Sequence, residues 1–144
     1  MSESDRPKAR VAFHEMVAGA DLGSFEYEVS EALVRRHLEA THQSPYPEQG
    51  GQRLAPVSLL ASDGIRLAEA RYDISESVHA GQRLEVLNPP IVGSRVMVRG
   101  RLVDKFEKGG RQYTVIETVS RDDRGRLLAR GRMVGVVRYR PQGE

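Results

Sequence analysis

The sequence predicts an α+β domain in which helices pack on one face of an antiparallel sheet. Three observations carry this. A broad apolar stripe runs through residues 57–68, wide enough for a largely buried helix. From about residue 79 the apolar spacing changes to period two, the spacing of strands. Lys108-Gly109-Gly110 and Asp123-Arg124-Gly125 stand between the alternating runs, as hairpin turns between sequential strands do.

The first helix is signalled by Ser30, a good N-cap, followed by Leu33, Val34, His37, Leu38 and Thr41 on one face. Glu31 and Arg35, four apart on the outer face, form a supporting pair. From His42 to Arg53 the pattern breaks, with Pro45, Pro47 and the Gly50-Gly51 pair. A second helix starts near Pro56, whose missing N–H costs nothing at the first helical position. Its stripe holds Val57, Leu60, Ala61, Gly64, Ile65 and Ala68 and widens to Leu59 and Leu67. Gly64 is unfavourable inside a helix, so close packing against the sheet is expected there. The strands are expected at residues 83–88, 95–103, 112–119 and 127–137.

The 144 residues suit one domain over 10–140, preceded by a polar tail at 1–9 expected to be disordered. There is no cysteine, which excludes disulfides and thiolate metal sites and suits a reducing compartment. No apolar run approaches the roughly 20 residues of a membrane helix, and the charged N-terminus lacks an apolar signal segment. No membrane association is expected, and the cytoplasm is the expected location.

Of the 22 basic residues only Lys8, Lys105 and Lys108 are lysines, and the net charge is +2. Arginine suits phosphate because its planar fork donates two parallel hydrogen bonds, although most of these arginines are expected to be solvated. Arg95, Arg99 and Arg101 share one strand and Arg130 and Arg132 another. Without interleaved aromatics they form no base-stacking surface, so no nucleic-acid partner is expected. Glu85 and Glu117 on neighbouring strands suggest cross-strand charge pairs instead.

Several strings, in this order, resemble the MaoC-like hot-dog dehydratases and hydratases and the related dehydratase subunits of fatty-acid and mycolic-acid synthesis. They are Phe25-Glu26-Tyr27-Glu28-Val29-Ser30, Leu54-Ala55-Pro56 and Val78-His79-Ala80-Gly81-Gln82-Arg83. Pro90-Ile91-Val92-Gly93-Ser94-Arg95 and Ala129-Arg130-Gly131-Arg132 follow. The resemblance spans roughly residues 11–138. It implies a single hot-dog domain, an antiparallel sheet wrapped around a long central helix and paired with a second hot-dog, as homodimer or heterodimer. It also implies an acyl thioester of coenzyme A or acyl carrier protein as ligand, its chain in a tunnel near the buried helix. No cofactor is implied beyond the coenzyme A or phosphopantetheine of the substrate itself.

Hydratases of this family add or remove water across a 2,3-double bond with an aspartate and a histidine in a loop resembling A-T-G-D-x-N-P-[L/I/V]-H. The chemistry needs two groups of different proton affinity facing one site. The enolate-like thioester oxygen is held by backbone N–H groups at a helix start. Here Ala40-Thr41 match the start of the loop and Pro45 its proline. His42 or Gln43 stands near the aspartate position, Ser44 replaces the asparagine, and Tyr46 or Pro47 stands near the histidine position. Glutamine is no base at neutral pH and proline has no side-chain proton, so the standard dyad is absent.

The resemblance therefore implies a non-catalytic or divergent subunit. The alternatives are an active thioester enzyme with a rearranged site and a hot-dog module for an unrelated ligand. The candidate catalytic residues are His42, the titratable group in the aberrant loop, and Tyr46, a hydrogen-bond donor to a thioester. The candidate substrate-binding residues are Gln43, Ser44, Arg53, Pro56, Val57 and Ser58. His79 is expected to be a satisfied core or interface histidine, and His14 and His37 carry no spacing argument.

Overall fold

The structure, a computed structural model, describes residues 13–45 and 48–137. The tail expected at 1–9, and Tyr46 and Pro47, lie outside the described residues. After a short 3-10 turn the chain runs through β1 (Asp21–Glu28), α1 (Glu31–Thr41), β2 (Glu48–Gln49) and β3 (Gln52–Arg53). A 3-10 turn (Val57–Ser62) then leads into α2 (Asp63–Arg71). β4 (Val78–Val86), β5 (Arg95–Lys108), β6 (Arg111–Asp122) and β7 (Leu127–Val137) complete the order.

The five long strands form one antiparallel sheet, in the order β1-β5-β6-β7-β4. β5 shows why it is a strand. Val96, Val98, Gly100 and Leu102 turn inward, and Arg95, Met97, Arg99 and Arg101 turn out. At the β5–β6 turn Gly109 and Gly110 have φ of 61° and 75°, the consecutive left-handed residues a two-residue hairpin of this type needs. The expected charge pairing is present on the outer face, where Arg132 Nη1 donates to Glu117 Oε1 at 2.9 Å. β1 is not among the expected strands, although Phe25, Tyr27 and Val29 alternate with Ser24, Glu26 and Glu28.

α1 starts where Ser30 Oγ accepts the Leu33 N–H at 3.1 Å. Glu31 pairs across to Arg53 and not along the helix to Arg35. The buried helix differs from expectation in its first six residues, which are 3-10: the Leu59 N–H donates to Pro56 O, three residues back. α-Helical hydrogen bonding takes over at Asp63.

α2 lies against the inner face of the sheet. Leu67 is fully buried against Gly100 of β5, where a Cβ would collide with the leucine and stand 3.1 Å from Glu117 O. Gly64 faces Met133 and Thr118, but a Cβ there would make ordinary contacts of 3.6 Å and longer, so the close packing is not tight enough to require glycine. The core has two clusters. Val29, Val34, Leu59, Leu60, Val96 and Leu128 form one around α1 and the 3-10 turn. Met16, Leu22, Leu67, Ala68, Leu102 and Ile116 form the other under α2.

Candidate functional site

His42 closes α1 in the left-handed conformation, with φ of 54°. Its N–H donates to Glu39 O at 3.3 Å and the Gln43 N–H donates to Leu38 O at 3.0 Å, the bonds that satisfy the last carbonyls of a helix. The His42 side chain is exposed. His42, Gln43 and Pro45 meet Arg53 and Leu54 around a shallow concavity that also includes Glu31 and Glu39. Ser44 is exposed beside it. Arg53 is occupied by its ion pair with Glu31. Tyr46, the other candidate catalytic residue, lies outside the described residues.

Pro56, Val57 and Ser58 are not part of that concavity. They open the 3-10 turn, and Ser58 Oγ lies 2.8 Å from His37 Nε2 on α1. Sequence spacing gives no hint of this contact, because it joins two elements that meet only in the folded chain. His37 also lines a groove with Leu33, Arg36, Leu59, Ser62 and Arg66.

The most perturbed acid is Asp63, at the junction of the 3-10 turn and α2. It is 2% exposed. Tyr27 OH donates to its Oδ1 at 2.8 Å and Ser120 Oγ donates to its Oδ2 at 2.7 Å. Burial pushes its carboxyl up to about 6, against the opposing pull of these two hydrogen bonds and of Arg66. Burial, and then the neighbouring Asp63 charge, raise the Tyr27 hydroxyl too, so it stays a donor. The Arg66 guanidinium carbon sits 5.1 Å from the Tyr27 ring centre. Asp63 lines none of the concavities described, and its hydrogen bonds tie α2 to β1 and β6.

Between α2 and the β6–β7–β4 side of the sheet lies a cavity of about 150 Å³. Met16, Ile65, Tyr72, Ile116, Met133 and Val136 make its apolar walls. Asp73, Glu76 and His79 stand among its polar lining. His79 is exposed on the edge strand β4, so of its two expected places, core or interface, the core is not where the structure puts it. Among the described residues six large apolar side chains are exposed, and Val78, Val86 and Leu87 of these sit on β4 or directly after it.

Solved structures share this arrangement. An R-hydratase, PhaJ1 from Pseudomonas aeruginosa, superposes with a TM-score of 0.75 at 14% identity, over 91% of this chain and 88% of that one. The HadBC (3R-hydroxyacyl-ACP dehydratase) complex from Mycobacterium tuberculosis gives 0.69 at 16% identity, over 84% of this chain and 97% of that one. A third protein, Rv0216 from M. tuberculosis, has a double hot-dog fold and gives 0.67 at 13% identity, over 94% of this chain and 46% of that one. The fold is the hot-dog. No protein-family model and no curated protein matches the chain. In hot-dog terms α2 is the central helix, and the cavity lies between this helix and the sheet that wraps it.

Proposed function

We propose that this hot-dog domain binds an acyl thioester, with the acyl chain in the cavity beneath α2, as a subunit without the Asp/His dyad of the hydratases. The cavity carries the reading. An apolar space of about 150 Å³ matches the size at which a protein cavity takes up a benzene-sized apolar group, so a short chain or small ring fits. The loop supports the non-catalytic part, because His42 serves as the helix cap and no aspartate occupies residues 42–47. The subunit pairs with a second hot-dog, another copy or a different chain, along β4. That strand ends the sheet with unpaired backbone groups and exposed valines.

Calorimetry with butanoyl-, hexanoyl- and decanoyl-pantetheine tests the cavity. Binding is expected for the shorter chains and its loss in Ile65→Trp, which fills the space. Equal binding by wild type and Ile65→Trp would remove the cavity from the proposal. One observation favours a second reading, an active thioester enzyme with a rearranged site: a base and a hydroxyl meet at His37–Ser58. Hydration of a 2-enoyl thioester by the purified chain, lost about a hundredfold in His37→Ala with binding kept, would establish it.

A further inference from the structure

We infer that the groove between α1 and the start of the central helix is a phosphate-binding site, with Arg36 and Arg66 as its charged donors. Its walls come from two helical faces. On α1, Leu33, Arg36 and His37 are spaced i, i+3, i+4 and share one side. Opposite them stand Leu59 and Ser62 of the 3-10 turn and Arg66 of α2, Ser62 and Arg66 being four apart.

Every polar group in that lining can donate: two guanidiniums, one imidazole and one hydroxyl. No carboxylate lines it. The other concavities differ in this respect. Asp73 and Glu76 line the cavity beneath α2, Glu31 and Glu39 the loop concavity, and Asp21, Glu85 and Glu117 the outer face of the sheet. Several arginines elsewhere on the surface pair with acids, among them Arg53, Arg95, Arg99 and Arg132. Among the described residues no ion pair engages Arg36 or Arg66. Arg66 instead lies over the Tyr27 ring on β1, and the charge it feels there is that of Asp63, with which it interacts without forming an ion pair.

Both oxygens of Asp63 already accept from the Tyr27 and Ser120 hydroxyls. Ser58 occupies His37 Nε2, so with the serine as donor the ring's remaining N–H is on Nδ1. Phosphate is the anion that suits two guanidinium forks and a hydroxyl in one lining, because each fork can donate two parallel bonds to its oxygens. The site stands apart from the acyl cavity: Ile65 lines the cavity and Arg66, next along the helix and about 100° round it, lines the groove. The inference therefore holds or fails independently of the acyl-thioester reading.

Titration of the full chain at low ionic strength with inorganic phosphate, coenzyme A and pantetheine tests it. Phosphate and coenzyme A are expected to bind, more weakly as salt rises, and pantetheine is expected not to compete with phosphate. Arg36→Ser is expected to weaken both at least about tenfold, as losing a charge-assisted hydrogen bond does. Arg36 is exposed, so this change spares the core; Arg99→Ser on the outer sheet face should leave binding unchanged. Coenzyme A tighter than phosphate assigns a nucleotide-bearing carrier, and equal affinities assign a small free phosphate; both sustain the site. No phosphate or coenzyme A binding, or an Arg36→Ser chain that binds like Arg99→Ser, overturns it. Acyl-pantetheine, which has no phosphate, reports on the cavity alone and separates the two proposals.

Discussion

Asp63 offers the sharpest test of the energetics. Its carboxyl is raised from 3.8 to about 6, chiefly by burial. Each pKa unit corresponds to about 1.4 kcal/mol, so the shift represents roughly 3 kcal/mol. The sign follows from which state holds the proton more tightly. With the folded value raised, the folded chain binds the proton better than the unfolded one between pH 4 and 6. The contribution favours folding most at low pH, is lost as pH rises from about 4 to about 6, and stays lost above that.

Asp63→Asn removes the titration but keeps the shape. Its oxygen can accept from Tyr27 OH, and its amide can donate to Ser120 Oγ, whose hydroxyl is free to turn. Urea unfolding of wild type and variant at fixed protein concentration, from pH 4 to pH 7.5, isolates the effect as a difference. Asp122 works in the opposite direction. Burial opposes its charge, but the Arg126 side chain and the Arg126 and Arg124 N–H groups hold its carboxyl below the usual range. Its stabilisation is therefore lost as pH falls, equally in both proteins, so it cancels. The variant should gain on wild type by about 3 kcal/mol between pH 4 and pH 7. A difference that stays flat, or that falls with pH, would refute a buried, charge-averse Asp63. Asp63→Leu serves as the contrast, since it strands the buried Ser120 hydroxyl at about 1–3 kcal/mol, leaves the half-buried Tyr27 hydroxyl without its partner, and carries no pH dependence.

Three further outcomes are expected. Val78→Lys with Val86→Lys places charge along the exposed edge strand, so sedimentation at tens of micromolar should shift from dimer toward monomer; wild type that is already monomeric with no recoverable partner defeats the edge pairing. Gly100→Ala forces Leu67 away from β5 and should lower stability by about 1–3 kcal/mol in urea, whereas an unchanged midpoint would mean that α2 has room to lift. His42→Gly removes the strain of a left-handed non-glycine residue and should raise stability by about 1 kcal/mol in thermal melts, with a fall showing that the imidazole contributes contacts of its own.

What the sequence made legible is what one element decides alone. The strands of the meander show because each has a core-facing row and a charged row, and the α1 boundary shows because Ser30 caps within its own turn. The broad stripe at 57–68 marks a buried helix whichever way its first turn winds, and for that reason it does not reveal that Val57–Ser62 is 3-10. The candidate site divides along the same line. His42 and Gln43 fall beside Arg53 because a short stretch of chain joins them, while His37 and Ser58, or Arg36 and Arg66, are neighbours only once α1 has docked on the central helix.

Asp63 is the instructive case, because its signal was present in a form that stripe-reading passes over. It stands three residues after Leu60 and four before Leu67, on the buried side of the helix. A carboxylate there costs several kcal/mol unless hydrogen-bonded, so the position by itself demands donors from whatever packs against it. What it does not contain is their identity: Tyr27 is 36 residues before it and Ser120 57 after, on strands that flank the helix only because of the sheet order β1-β5-β6. A polar residue on an apolar face thus states that partners exist, and the topology alone says which.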